Sequence, residues 1–407
     1  MLKLRPSLPF RASLAAMLGI AAAALASCGG GGGGDGSIRE AALEAAGKEI
    51  FRHDTFGDEI FWTDTLRMHE VIETAVTPRV ALTAGLKVDA DALPQSIKDG
   101  IGNGTVDLDS PATTVALIKL DAVVGLRGQV ESVNGVDRLT RVGVTCALCH
   151  STVDNSFSSG IGKRLDGWAN RDLDPGLIIS LSPALTPTQK AIYASWGKGM
   201  YDARFNIDGL SKPSVIPPAF GLEGVHKVTF TGDGDEIAYW NRYVAVTQMG
   251  GQGSFSEPRL GISITNGTQD LVSSKLPALQ AYQLSLAAPA PPAGSFDATA
   301  AARGRLLFEG KARCASCHTG STFTDANVTL HPKADSMAEP EVPSHADRSA
   351  TRQYRTTPLR GLWQHPPYFH DGSASTAEAV VTTYNTKLVL GLTPQEIADV
   401  AQYLKSL

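Results

Sequence analysis

Cys146-Ala147-Leu148-Cys149-His150 and Cys314-Ala315-Ser316-Cys317-His318 are the two stretches on which the reading of this chain turns. In each, two thiols separated by two residues can reach both vinyl groups of one porphyrin, and the imidazole directly after the second thiol can meet the iron. This is the c-type haem attachment signature, and it occurs twice. Other uses of paired cysteines fit less well. A four-cysteine zinc site leaves both adjacent histidines unexplained, and a thioredoxin-like dithiol has no need of His after its second Cys. The sequence therefore predicts two covalently bound haems c, with Cys146, Cys149, Cys314 and Cys317 as attachment points and His150 and His318 as proximal iron ligands.

The fifth cysteine, Cys28, has a different setting. Lys3, Arg5 and Arg11 precede an apolar run over residues 14–26, shorter than the roughly 20 residues a membrane-spanning helix needs. The run closes on Leu25-Ala26-Ser27-Cys28, which looks like the end of a lipoprotein signal peptide (residues 1–28) with Cys28 diacylated. The competing reading is an ordinary signal peptide that Cys28 merely follows. A Gly-rich tether over residues 29–37 comes next. The expectation is a chain lipid-anchored on the periplasmic side of a bacterial membrane, where c-type haem is attached. The mild net charge of -5 and the lack of a basic stripe argue against nucleic acid as a partner.

The 407 residues allow two or three domains. Residues 287–294, rich in Ala and Pro, read as a semi-rigid linker because Pro denies them helix and ladder hydrogen bonds. It separates residues 38–286, an N-terminal cap plus a first haem domain, from a second haem domain over residues 295–407. In the second, Asp297 can cap a helix leading toward Cys314. Thr393, Pro394 and Glu396 open a final helix with a capping box, and its stripe of Ile397, Val400, Ala401 and Leu404 is core packing. In the first, Asn134-Gly135 between two strand-like runs predicts a short β-hairpin leading into Cys146.

A weak internal repeat links the halves. Pro218, Gly221, Leu222, His226 and Phe230 answer Pro358, Gly361, Leu362, His365 and Phe369, and helix-like segments around Tyr243 and Tyr384 follow. The fold class expected is mainly α: two tandem cytochrome c-like haem domains with long loops and a short β-hairpin before the first motif.

Tyr354-Arg355-Thr356-Thr357-Pro358-Leu359-Arg360-Gly361-Leu362 and Pro367-Tyr368-Phe369-His370-Asp371-Gly372 resemble the dihaem cytochrome c peroxidase superfamily, whose relatives include the enzyme that matures tryptophan-derived quinone cofactors and the rubber oxygenases. The likeness covers residues 298–407 well and the first half more loosely; residues 47–67 look most like the rubber-oxygenase branch. It implies one haem that handles the oxidant, one that stores or relays an electron, and an aromatic residue between them. For the second haem it implies Tyr384 as distal ligand where peroxidases carry Met, which would lower the reduction potential; packing within its helix is the alternative. For the first haem the candidates are Met249, then Met200 and His226, or an open site. His226 and His365 share a repeat position and so a structural role such as propionate bonding, and His370 is a haem-pocket candidate. Where relatives carry an aromatic-Trp-Asp-Gly segment this chain has Phe230-Thr231-Gly232-Asp233-Gly234, which leaves Trp240 or Trp196 as substitutes for the bridging Trp.

Three functions compete on these residues. The first is a peroxidase-like oxidoreductase fed by a small redox protein or a quinol-linked donor and delivering electrons to peroxide or another oxidant. The second is an electron-transfer cytochrome whose two irons are both fully ligated. The third is an oxygenase of the rubber-oxygenase type, using oxygen.

Overall fold

Alanine-rich sequence carries the helix Gly34–His53 in the computed structural model, which describes residues 34–338 and 342–407, with side chains from residue 37. The expected signal peptide, Cys28 and Gly29–Gly33 lie outside the described residues. Residues 34–37, expected as tether, are helical: once the run of alanines has nucleated a helix, extending it backward through a glycine costs only about 1 kcal/mol.

Residues 42–407 form one compact unit with two apolar cores. The larger runs from Phe51 to Tyr282 and the smaller from Phe308 to Leu404. In the first, strands Leu126–Val133 and Val136–Val144 pair antiparallel. Asn134 and Gly135 both take left-handed backbone between them, which is what a two-residue turn matched to strand twist requires. Val142 and Val144 enter the core, and buried Asp58 accepts from the Val144 N–H at 3.2 Å. The hairpin thus ends fixed at Val144, two residues before Cys146.

In the second core, Asp297 caps helix Ala298–Glu309 by accepting from the N–H groups of Thr299 and Ala300 at 2.8 and 3.0 Å. This helix crosses the last one, Pro394–Lys405, at close range: a Cβ on Gly304 would lie 2.0 Å from the Asp399 carbonyl oxygen. Only glycine permits that approach. Thr393 and Glu396 form the capping box, Pro394 takes the first helical position, and Val400, Ala401 and Leu404 are buried.

The two repeats pack on each other. Gly361 takes left-handed backbone, and a Cβ there would meet the Phe220 ring at 2.6 Å; Arg360 lies against Gly221 and donates to its carbonyl at 3.2 Å. Beside them Trp168 and Trp363 meet edge-on, ring centroids 5.8 Å apart. Farther along, residues 344–357 lie over the first half, where Arg348 reaches Asp202 and Asp208.

Candidate haem site

A tight turn over Cys314–Ser316 follows the helix Ala298–Glu309 and brings His318 round so that its N–H donates to the Cys314 carbonyl at 3.0 Å. Nδ1 of His318 lies 3.0 Å from the Phe323 carbonyl oxygen. A carbonyl can only accept, so Nδ1 carries the hydrogen and Nε2 keeps its lone pair, the arrangement of a histidine that can ligate iron through Nε2. His150 repeats this: Nδ1 stands 3.1 Å from the Pro217 carbonyl. Burial holds both rings neutral, depressing His318 and pushing His150 down to about 4. Burial also pushes the Cys146 and Cys149 thiols up to about 12 and Cys314 to about 11, opposite to the low pKa a reactive dithiol needs.

Against the second motif lies a cavity of about 690 Å³, in the size range of cofactor pockets. Cys314, Cys317, His318, Tyr384, Met337 and Leu404 are on its walls. Arg171 and Arg355 line it too, and Nε and Nη1 of Arg171 and Nε of Arg355 are buried without partners. Two attachment thiols, a correctly oriented imidazole, apolar walls and unsatisfied cationic donors for two carboxylates suit a haem c. Cys317, Asp325 and His331 could instead gather a metal ion, their ligand atoms lying within 4.8 Å of one another, but that use consumes the thiol the haem signature needs.

Tyr384, on helix Ala377–Lys387, is buried; burial and the Cys314 and Cys317 thiols push its hydroxyl well above the ordinary phenol value. It and His318 are brought to one cavity. Met249 sits in the first core, its carbonyl accepting from Trp62 Nε1 at 3.0 Å, and Met200 lies on the short strand Met200–Tyr201. His226 and His365 differ in setting despite their shared repeat position. His226 is exposed, its backbone N–H donating to Asn327, whereas His365 is buried on the cavity wall and held down to about 3 by burial and by Arg171. Trp240 stacks on Tyr243, and Trp196 packs with Tyr193, Tyr201 and Phe205, all within the first half.

His370 is buried and lines the cavity, with Tyr354 at 5.3 Å and His345 stacked on it at 5.0 Å between ring centroids. His345, Arg171, Arg355 and the Trp168–Trp363 pair escape a reading of the sequence, although Arg355 lies inside the superfamily-like stretch. Burial, with Arg204, His370 and Arg348 nearby, keeps His345 well below the ordinary histidine value. The unfolded chain then binds a proton near pH 6.5 that the folded one refuses. Stability is expected to fall as pH drops below that value, by about 1.4 kcal/mol per pH unit from this residue, until the depressed folded pKa is reached. His345→Phe should remove one proton's worth of that slope in urea titrations between pH 7 and 5; equal slopes would refute the assignment.

Residues 301–407 match the cytochrome c family. A cytochrome-c peroxidase of Denitromonas iodatirespirans is 30% identical over 149 residues, covering 26% of this chain and 40% of that protein. The methylamine utilization protein MauG of Methylorubrum extorquens is 40% identical over 91 residues, covering 21% of this chain and 24% of its own. The chain thus spans less than half the length of either relative. Among solved structures, Kuenenia stuttgartiensis hydrazine synthase aligns over 51% of this chain and 76% of its own at 20% identity, with a TM-score of 0.36. The C-terminal region is a cytochrome c domain that binds haem covalently, and its sequence is similar to a cytochrome-c peroxidase and to MauG.

Proposed function

We propose that this protein is an exported, lipid-anchored dihaem oxidoreductase that takes electrons from a periplasmic donor, a small redox protein or a quinol-linked carrier, and delivers them to peroxide or another oxidant. The observation that carries the proposal is the pairing of His318 and Tyr384 on the walls of one haem-sized cavity. A haem held there by His318 and Tyr384 would be suited to hold and pass an electron, and substrate chemistry would fall to the centre at His150. Bound haem supplies one-electron redox chemistry and, where an iron position is open, a place for the oxidant.

The chain's own residues set the conditions. The Pro217 and Phe323 carbonyls fix the two imidazoles by accepting from Nδ1. As a ligand to the second haem, Tyr384 would lower its potential relative to Met. Trp168, two residues past the strand Arg164–Asp166 that pairs with Ser151–Val153, touches Trp363 of the second half. That contact supports a short aromatic route between the centres.

Electron paramagnetic resonance of the oxidised protein tests this reading. Tyr384→Phe is expected to convert one of two haem signals to high spin and leave the other unchanged, while Met337→Leu, altering a second cavity-wall residue able to ligate, changes neither. A shift with Met337→Leu alone would transfer the ligand role to Met337. If the oxidised and half-reduced proteins show only six-coordinate low-spin haem and do not respond to peroxide, the chain is an electron-transfer cytochrome.

A further inference from the structure

Two arginines reach the cavity from different halves of the chain. Arg171 belongs to the first: the preceding residue, Asn170, donates its N–H to the Cys149 carbonyl at 2.9 Å, which ties this stretch to the first haem motif. Its Nη2 donates to the His365 carbonyl at 3.0 Å, and Nε and Nη1 are left over. Arg355 belongs to the second half. Its N–H donates to the Phe230 carbonyl at 3.0 Å and its Nη1 to the Lys227 carbonyl at 2.6 Å, and Nε is left over.

Arg360, on the same cavity wall, provides the contrast. Its Nε and Nη1 are spent on the carbonyls of Ser321, Gly221 and Glu223. Among the described residues no carboxylate pairs with Arg171 or Arg355, and burial brings both guanidinium groups down to about 10. Buried cationic donors without partners are rare in folded proteins because each forgoes its hydration without return, so their usual explanation is a ligand that completes them. Guanidinium groups match carboxylates best.

We propose that Arg171 and Arg355 form a two-armed carboxylate clamp for the propionates of the haem attached at Cys314 and Cys317, with Arg171, a first-half residue, completing the second-half site. The clamp rests on the haem reading of the second motif. It also places Arg171 between the centres, since its neighbour Asn170 is tied to the first haem motif and its own Nη2 donates to the His365 carbonyl on the second cavity's wall. A cation beside the propionates keeps them ionised and offsets their charge, which favours the reduced centre. Without it the centre becomes harder to reduce, and its potential climbs as falling pH neutralises the propionates.

Spectroelectrochemical titration of the full-length haem-loaded protein from pH 5 to 8 tests this. Arg171→Gln and Arg355→Gln are each expected to move the oxidised-to-reduced ratio of the second haem at least tenfold toward oxidised, 59 mV for a one-electron couple, with a pH dependence the parent lacks. Arg171→Lys should recover most of the shift, and Arg360→Gln should stay within threefold of the parent. Should Arg171→Gln not accumulate, Arg355→Gln decides by the same criterion. Potentials within threefold of the parent and flat with pH, in variants whose Cys314–Cys317 peptide carries haem by mass, would overturn the clamp alone. A parent peptide without haem would overturn the clamp together with the reading beneath it.

Discussion

Replacing Cys314 and Cys317 together with alanine is expected to halve the haem bound per chain and to leave the remaining haem's spectrum unaltered. The two motifs sit against separate cores. Cys146 and Cys149 pack on the cluster that runs from Phe51 to Tyr282, and Cys314 on the one that runs from Phe308 to Leu404. Nothing in the first attachment turn leans on the second pair of thiols: His150 is oriented by Pro217, and the approach to Cys146 by Asp58 and the hairpin. The second half should suffer more than a spectroscopic loss. Its small core borders the cavity of about 690 Å³, with Phe308, Leu362, Val381 and Leu404 on the walls, so the porphyrin is the largest apolar body those residues have to pack on. Losing it is expected to cost more than about 4 kcal/mol, the range reached when a structural metal or a large core group is removed. A pyridine haemochrome assay per mole of chain, beside urea unfolding, reads both effects. A parent protein with one haem per chain would refute the two-haem reading outright.

Local chemistry made much of the scaffold legible. The capping box at Thr393 and Glu396 and the cap at Asp297 can be read from the sequence because every group involved lies within one helical turn. The site divides along the same line. The haem motifs keep thiols and imidazole within five residues, whereas Arg171 meets the cavity of His318 only through folding. The contacts of Arg355 with Lys227 and Phe230 likewise span the two halves. Repeat position misled where surroundings differ. His226 faces outward beside Asn327, while the same place in the second repeat is folded inward onto Tyr368, so His365 is buried. Trp240 and Trp196, the sequence's candidates for the bridging aromatic, pack against aromatic rings of the first half. The pair that touches across the halves, Trp168 with Trp363, depends on the packing of Gly361 against Phe220, which no spacing encodes.

The joint between the halves leads to the second large effect, at Arg348. Its guanidinium is 3% exposed and holds Asp202, 2% exposed, through Nη2 at 2.9 Å and Nη1 at 3.1 Å. It also reaches Asp208 through Nε at 2.7 Å and the Leu210 carbonyl through Nη2 at 2.8 Å. Next to this network Arg204 pairs with Asp233, which in turn accepts from the Ala350 N–H at 3.1 Å. Arg348→Met would leave the Asp202 carboxylate buried without its counter-ion, and breaking a buried pair from one side costs about 3–5 kcal/mol even where the intact pair contributes little. Lysine keeps the charge but cannot serve two carboxylates and a carbonyl from one planar group, so Arg348→Lys should recover less than half of the loss. Arg348→Met combined with Asp202→Asn should be less damaging than the sum of the two, because the second change removes the stranded charge. The same segment carries His345, Tyr354 and Arg355 to the cavity region, so loosening it should also alter the second haem's absorption while the first haem's stays fixed. Urea midpoints of the haem-loaded proteins measure the stability terms, and a loss below about 1 kcal/mol for Arg348→Met, no more than a surface ion pair contributes, would show that the joint is held by the apolar contacts around Gly361 instead.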